Sequence, residues 1–141
     1  MGAWGAGTFD NDAAADFLLE YEDAGVGVVV QAFEMVLEGQ ASGYIDFDAG
    51  SWGLAASEIV AFSHGRASSA IDEETLNSMR VHEMDVRAIA GGPKAALTAV
   101  GLIASSEGKS ELFDLWSEGE LLDEWLSGVS DLKSRLEGIA A

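Results

Sequence analysis

Residues 122–139 read LDEWLSGVSDLKSRLEGI, and in them Leu122, Trp125, Val129, Leu132, Leu136 and Ile139 follow at intervals of 3, 4, 3, 4 and 3. A helix turns every ~3.6 residues, so this spacing draws one apolar seam down one face and leaves the acids and serines to water. The seam covers only about two and a half heptads, which favours packing inside a bundle, with dimerisation through this helix as the alternative. Testing the rest of the chain for the same period finds helices throughout.

Between Gly25 and Gly39, Val26, Val29, Val30, Phe33, Val36 and Leu37 recur at helical intervals. Val28-Val29-Val30 alone would suit a strand, but the run is too long for one, and Gly39 reads as its stop. Upstream, Asp10-Asn11-Asp12 offers caps and dipole complementation for a helix from Asp12 to Tyr21, with Phe9 placed to staple its first turn. A third helix is expected from Ser51 to His64, burying Leu54, Ala55, Ile59 and Phe62 and ending at Gly65. A fourth follows Ile71-Asp72-Glu73-Glu74 as far as His82. Gly91-Gly92-Pro93 opens a fifth, since proline suits the first helical position. A short sixth passes through Leu112, Leu115 and Trp116 to Gly119. The expectation is all-α: one domain over 1–141, a bundle of about six or seven helices behind a Gly/Trp-rich loop and cap at 1–11. At 141 residues such a domain buries about two-thirds of its unfolded surface and needs no metal or disulfide to fold.

Composition narrows function by exclusion. There is no cysteine, which removes disulfide scaffolds, thiol catalysis and cysteine metal sites. No stretch approaches the roughly 18 apolar residues of a membrane helix, and Met1-Gly2-Ala3-Trp4 lacks the basic opening of a secretory signal, so a cytoplasmic protein is expected. Twenty-five acids against seven Lys and Arg give a net charge of −18. The first base is Arg66, leaving 11 acids and no Lys or Arg before it. That field repels phosphate backbones and anionic lipid and attracts cations, so neither nucleic acid nor membrane is an expected partner.

The opening run MGAWGAGTFDNDAAADFL resembles a mostly bacterial domain-of-unknown-function family, number four-two-five-nine, whose members start G-x-W-G-x-G-x-F-D-N-D. Gly2, Trp4, Gly5, Gly7, Phe9, Asp10, Asn11 and Asp12 match it. Ala55-Ala56-Ser57-Glu58-Ile59-Val60 and Ser110-Glu111-Leu112-Phe113-Asp114-Leu115-Trp116 are similar to later parts of the family. The resemblance implies a small helical protein of bacterial cytoplasm and supplies no reaction.

Candidate chemistry is sparse. Gly108-Lys109-Ser110 copies the end of a P-loop, but Ile103 stands where the motif needs glycine. Asp46 and Asp48 faintly echo a calcium loop whose closing glutamate is replaced by Ser57. Asp10, Asp12 and Asp16 cluster at the start of the first helix, and carboxylates of this kind suit Ca²⁺ or Mg²⁺. Glu20, Glu22 and Asp23 place acids at the negative end of that helix, where each unpaired one costs about 0.3–1 kcal/mol, so a cationic partner must come from later in the chain or from outside. Trp4, held between glycines, is a candidate contact residue beside them. Three expectations follow, in order: a non-enzymatic module engaging a basic protein through Trp4, Glu20, Glu22 and Asp23; a divalent-metal hydrolase on Asp10, Asp12 and Asp16, with His82 or Glu58 completing it; and a module dimerising through its last helix. Monomer and dimer both stay open.

Overall fold

The structure, a computed structural model, describes residues 5–140. Eight helices run in order: α1 (Asp12–Ala24), α2 (Val26–Ser42), α3 (Phe47–Ser63), α4 (Glu73–Arg80), α5 (Glu83–Arg87), α6 (Gly92–Ile103), α7 (Glu111–Ser117) and α8 (Leu122–Ala140). Among the described residues there is no strand, only an isolated parallel bridge between Ile45 and Ser110. The fold is the expected all-α single domain, with one helix more than the period predicts: α5 has five residues, too short to show a face.

The axis of the bundle is α3, which packs against all seven other helices. It is buried almost all round, including Ser51, Ser57 and Glu58. Small residues permit this. A β-carbon on Gly53 would lie 2.6 Å from Val36 and 2.8 Å from Ile103, and one on Gly50 would lie 2.9 Å from Leu112. Glycine there lets α2, α6 and α7 close onto α3, an approach that no larger residue allows without displacement.

Caps set the boundaries. Asn11, Asp46, Asp72 and Ser110 each accept a backbone N–H three residues on, at 2.8, 2.8, 2.8 and 3.4 Å, which satisfies one orphan donor per helix start. Asp46 therefore begins α3 a turn before the expected Ser51, and the faint calcium-loop pattern is a cap. Gly39 does not stop α2. The helix runs on to Gly43, whose φ of 101° provides the left-handed exit. Gly39 is needed because the returning loop presses on it, with the Tyr44 carbonyl oxygen and Ile45 Cα each 3.1 Å from a would-be β-carbon.

The seam of α8 lies inside the molecule. Trp125, Val129, Leu132 and Leu136 are all buried, while Leu122 and Ile139 are half-buried against the core. Those residues pack into the chain's own core.

Candidate functional site

Two places gather polar chemistry: the C-terminal end of α1, and a groove over α3 and α8. At the first, Tyr21 is fully buried and donates its hydroxyl proton to the Met79 carbonyl at 2.8 Å, while the His82 N–H donates to the same hydroxyl at 3.3 Å. Burial, helped by the charges of Glu83 and Asp85 and opposed by the His82 bond, pushes the Tyr21 phenol up to about 12. These bonds pin the α4–α5 corner to the end of α1. The His82 ring stands edge-on to Tyr21 with centroids 5.3 Å apart, and its Nε2 lies 3.0 Å from the Glu22 carbonyl oxygen. A carbonyl only accepts, so Nε2 carries the proton, and His82 satisfies one of the orphan carbonyls that close a helix. A hydrogen-bonding partner for this helix end thus comes from the second half of the chain, but among the described residues no ion pair reaches Glu20, Glu22 or Asp23.

Five carboxylates lie on the two helices that approach at this corner, α1 and α5. Glu20, Glu22, Asp23 and Asp85 are exposed and Glu83 is half-exposed. Val81 and Met84, on either side of His82 in the chain, are 54% and 84% exposed, and Leu19, one turn before Glu22, is 66% exposed. The neighbouring bases point elsewhere. Arg80 reaches Glu73 at 3.7 Å, bonds Asn77 and stacks 5.9 Å from the Phe62 centroid. Arg87 faces His64, whose imidazole burial and that guanidinium together hold below its ordinary value.

The second place is a groove of about 670 Å³ bounded by residues 6–9, residues 68–75 and α8. Beneath it Glu58, 4% exposed, takes two bonds from Arg135, Nη1 at 2.9 Å and Nη2 at 3.0 Å. Arg135 also donates from Nε to Asp131 at 2.8 Å and from Nη1 to the Arg66 carbonyl at 2.9 Å. Burial pushes the Glu58 carboxyl up against the pull of the guanidinium, and the paired carboxylates raise Arg135. With four of its five N–H donors used, Arg135 is a structural fastener between α3 and α8.

Among the described residues the N-terminal aspartates do not converge as a ligand set. Asp10 folds back onto the glycine turn, where its Oδ2 accepts from Gly7 N–H at 3.1 Å. A β-carbon on either Gly5 or Gly7 would come within 2.7 Å of that oxygen. The glycine spacing of the opening motif therefore makes room for the Asp10 carboxylate. Asp12 and Asp16 are exposed on α1, and among the described residues no three acidic or histidine side chains converge as a ligand set. Neither expected helper completes a set with them: Glu58 is engaged by Arg135, and His82 sits at the other end of α1, about 15 Å from Asp12 at ~1.5 Å rise per residue. Trp4 lies outside the described residues.

The P-loop-like residues also resolve into structure. Gly108 N–H donates to Asp114 Oδ1 at 2.8 Å, so the chain's own carboxylate takes up this backbone donor. Asp114 Oδ2 accepts from the Tyr44 hydroxyl at 3.0 Å, and Glu111 Oε1 accepts from Phe47 N–H at 2.8 Å. With the Ile45–Ser110 bridge, these bonds clamp the α2–α3 loop to the start of α7. Sequence reasoning missed Glu83, Asp85, Val81 and Met84 as members of the first corner. The signal was His82 itself, an imidazole followed closely by two acids, Glu83 and Asp85.

Among the described residues, no helix is long and apolar enough to cross a membrane. No curated protein and no solved structure matches the chain. A family model does: that of the Domain of unknown function (DUF4259) matches residues 2–128, from the glycine turn to the first turns of α8. The chain, by that match over most of its length, belongs to the DUF4259 family.

Proposed function

We propose that the protein is a non-enzymatic binding module of bacterial cytoplasm that engages a basic protein through its acidic surface, centred on Glu20, Glu22 and Asp23. One observation carries the reading. Of 25 acids, only Glu58, Glu73 and Asp131 have an ion-pair partner among the described residues. The rest face solvent, cap helices or, like Asp10, Glu111 and Asp114, accept hydrogen bonds from uncharged donors, and the base best placed to neutralise the groove, Arg135, is locked to Glu58. A surface left this unbalanced steers cationic partners by long-range attraction and repels anionic ones.

The test is capture from cell lysate on immobilised protein at low salt, followed by a salt gradient. The reading expects a discrete basic protein that elutes as salt rises, and that is lost when Glu20, Glu22 and Asp23 are changed together to Gln, Gln and Asn. Recovery of nothing above background, or equal recovery by that variant, overturns it.

A further inference from the structure

Charge alone does not account for the corner at the end of α1. Val81 and Met84 are three residues apart, flank the anchored His82, and are 54% and 84% exposed. A methionine this bare, three residues from a second exposed aliphatic residue at the same corner, is an adaptable apolar contact, a kind of surface that repacks readily around a partner. The corner is also rigidly held, because Tyr21 bonds Met79 at 2.8 Å and His82 reaches the Glu22 carbonyl at 3.0 Å. The rim is anionic on both sides: Glu20, Glu22 and Asp23 from α1, Glu83 and Asp85 from α5. The negative end of the α1 dipole adds to it.

We infer that the Val81–Met84 corner is the contact point for a basic amphipathic segment of a partner protein, one that sets an apolar side chain on Val81 and Met84 and its lysines or arginines on the surrounding carboxylates. This rests on the acidic-surface reading above and adds to it an apolar anchor. Charge complementarity selects the occupant. A second copy of this chain would bring the same acids to the same place, and an anionic membrane would be repelled. Anchors of this type supply the salt-resistant part of binding, whereas the acidic rim supplies on-rate and the salt-dependent part.

Two fluorescent peptides of equal length and charge separate these parts. One is an amphipathic Lys/Leu helix, and the other has every Leu replaced by Ser. Binding to the full chain is followed by anisotropy across a NaCl series. The Lys/Leu peptide is expected to bind about tenfold tighter or more, from burial of two aliphatic side chains, and to keep that advantage as salt rises. The double variant V81S/M84S is expected to remove the advantage while leaving Lys/Ser binding unchanged. Both positions are exposed, so the variant folds, which its melting curve verifies. Equal binding of the two peptides, or a Lys/Leu advantage that V81S/M84S does not reduce, overturns the apolar anchor and leaves the acidic surface standing. Failure of both peptides to bind at low salt overturns the acidic-surface reading and the anchor with it.

Discussion

Replacing Arg135 by Met keeps most of its volume and removes the guanidinium from Glu58. The carboxylate, 4% exposed and bonded at 2.9 and 3.0 Å, then has two ways to respond. Kept charged and unpaired in the interior, it costs about 3–5 kcal/mol. Taking up a proton is the alternative, and from an ordinary carboxyl value of about 4.3 that costs about 3.7 kcal/mol at pH ~7. The cheaper route sets the limit, so R135M should lose about 3–4 kcal/mol near neutrality, close to 10 °C in Tm for a chain of this size. The loss must depend on pH. In the variant Glu58 has a folded-state value above its unfolded one, so the folded state holds its proton more tightly and the penalty shrinks as pH falls. At pH ~5 the protonation cost drops to about 1 kcal/mol. Urea denaturation of wild type and R135M at both pH values measures this as a difference, which cancels the general effect of acid on so anionic a protein. Changing both partners, E58L/R135M, should recover most of the loss, since a buried pair traded for apolar residues of like volume is often near neutral. A loss below about 1 kcal/mol at pH ~7, the same loss at both pH values, or no recovery in the double variant would refute the fastener role.

Other outcomes follow from the same geometry. Gly53→Ala pits about 1 kcal/mol of helix propensity against the crush on Val36 and Ile103, and overpacking should win, for a net loss of about 1–2 kcal/mol in urea. Gly128→Ala meets nothing within 4 Å and should instead stabilise by about 0.5–1 kcal/mol. In a Tyr44→Phe background, the absorbance of Tyr21 should titrate near about 12, two units late. Because its folded value is raised, stability should hold below the ordinary tyrosine value of about 10 and fall as pH rises from there through about 12. NaCl, MgCl₂ and CaCl₂ at matched ionic strength should raise Tm alike by screening self-repulsion; a rise specific to submillimolar Ca²⁺ or Mg²⁺ would reveal a carboxylate site that the geometry does not show.

Much of this architecture is legible in the chain because most helices carry a one-sided apolar period. The α8 seam named its core residues correctly, and Pro93 marked the start of α6 to within a residue. The central helix was harder to place. A helix buried all round has no polar face to set a period, and Gly50, Gly53 and Ser57 look like weak points until α2, α6 and α7 close on them. Its start was misplaced for the same reason, Asp46 being taken for part of a loop. The polar links were beyond reach: Tyr21 to Met79 and Glu58 to Arg135 join residues 58 and 77 apart, and only the fold decides which of 25 acids meets one of seven bases. At the end of α1 the sequence logic went as far as needing a partner from the second half of the chain. Which residue answers it, and that Val81 and Met84 arrive with it, depends on α4 turning at the Tyr21 hydroxyl.

The account turns on where a cation lands on this surface. Oligolysine titrated into isotopically labelled protein at low salt, followed by amide chemical shifts, locates it directly. The account predicts saturable shifts concentrated at residues 20–23 and 81–85 that reverse on adding salt. Absent shifts, or shifts spread evenly over the acids of α2, α7 and α8, would contradict it.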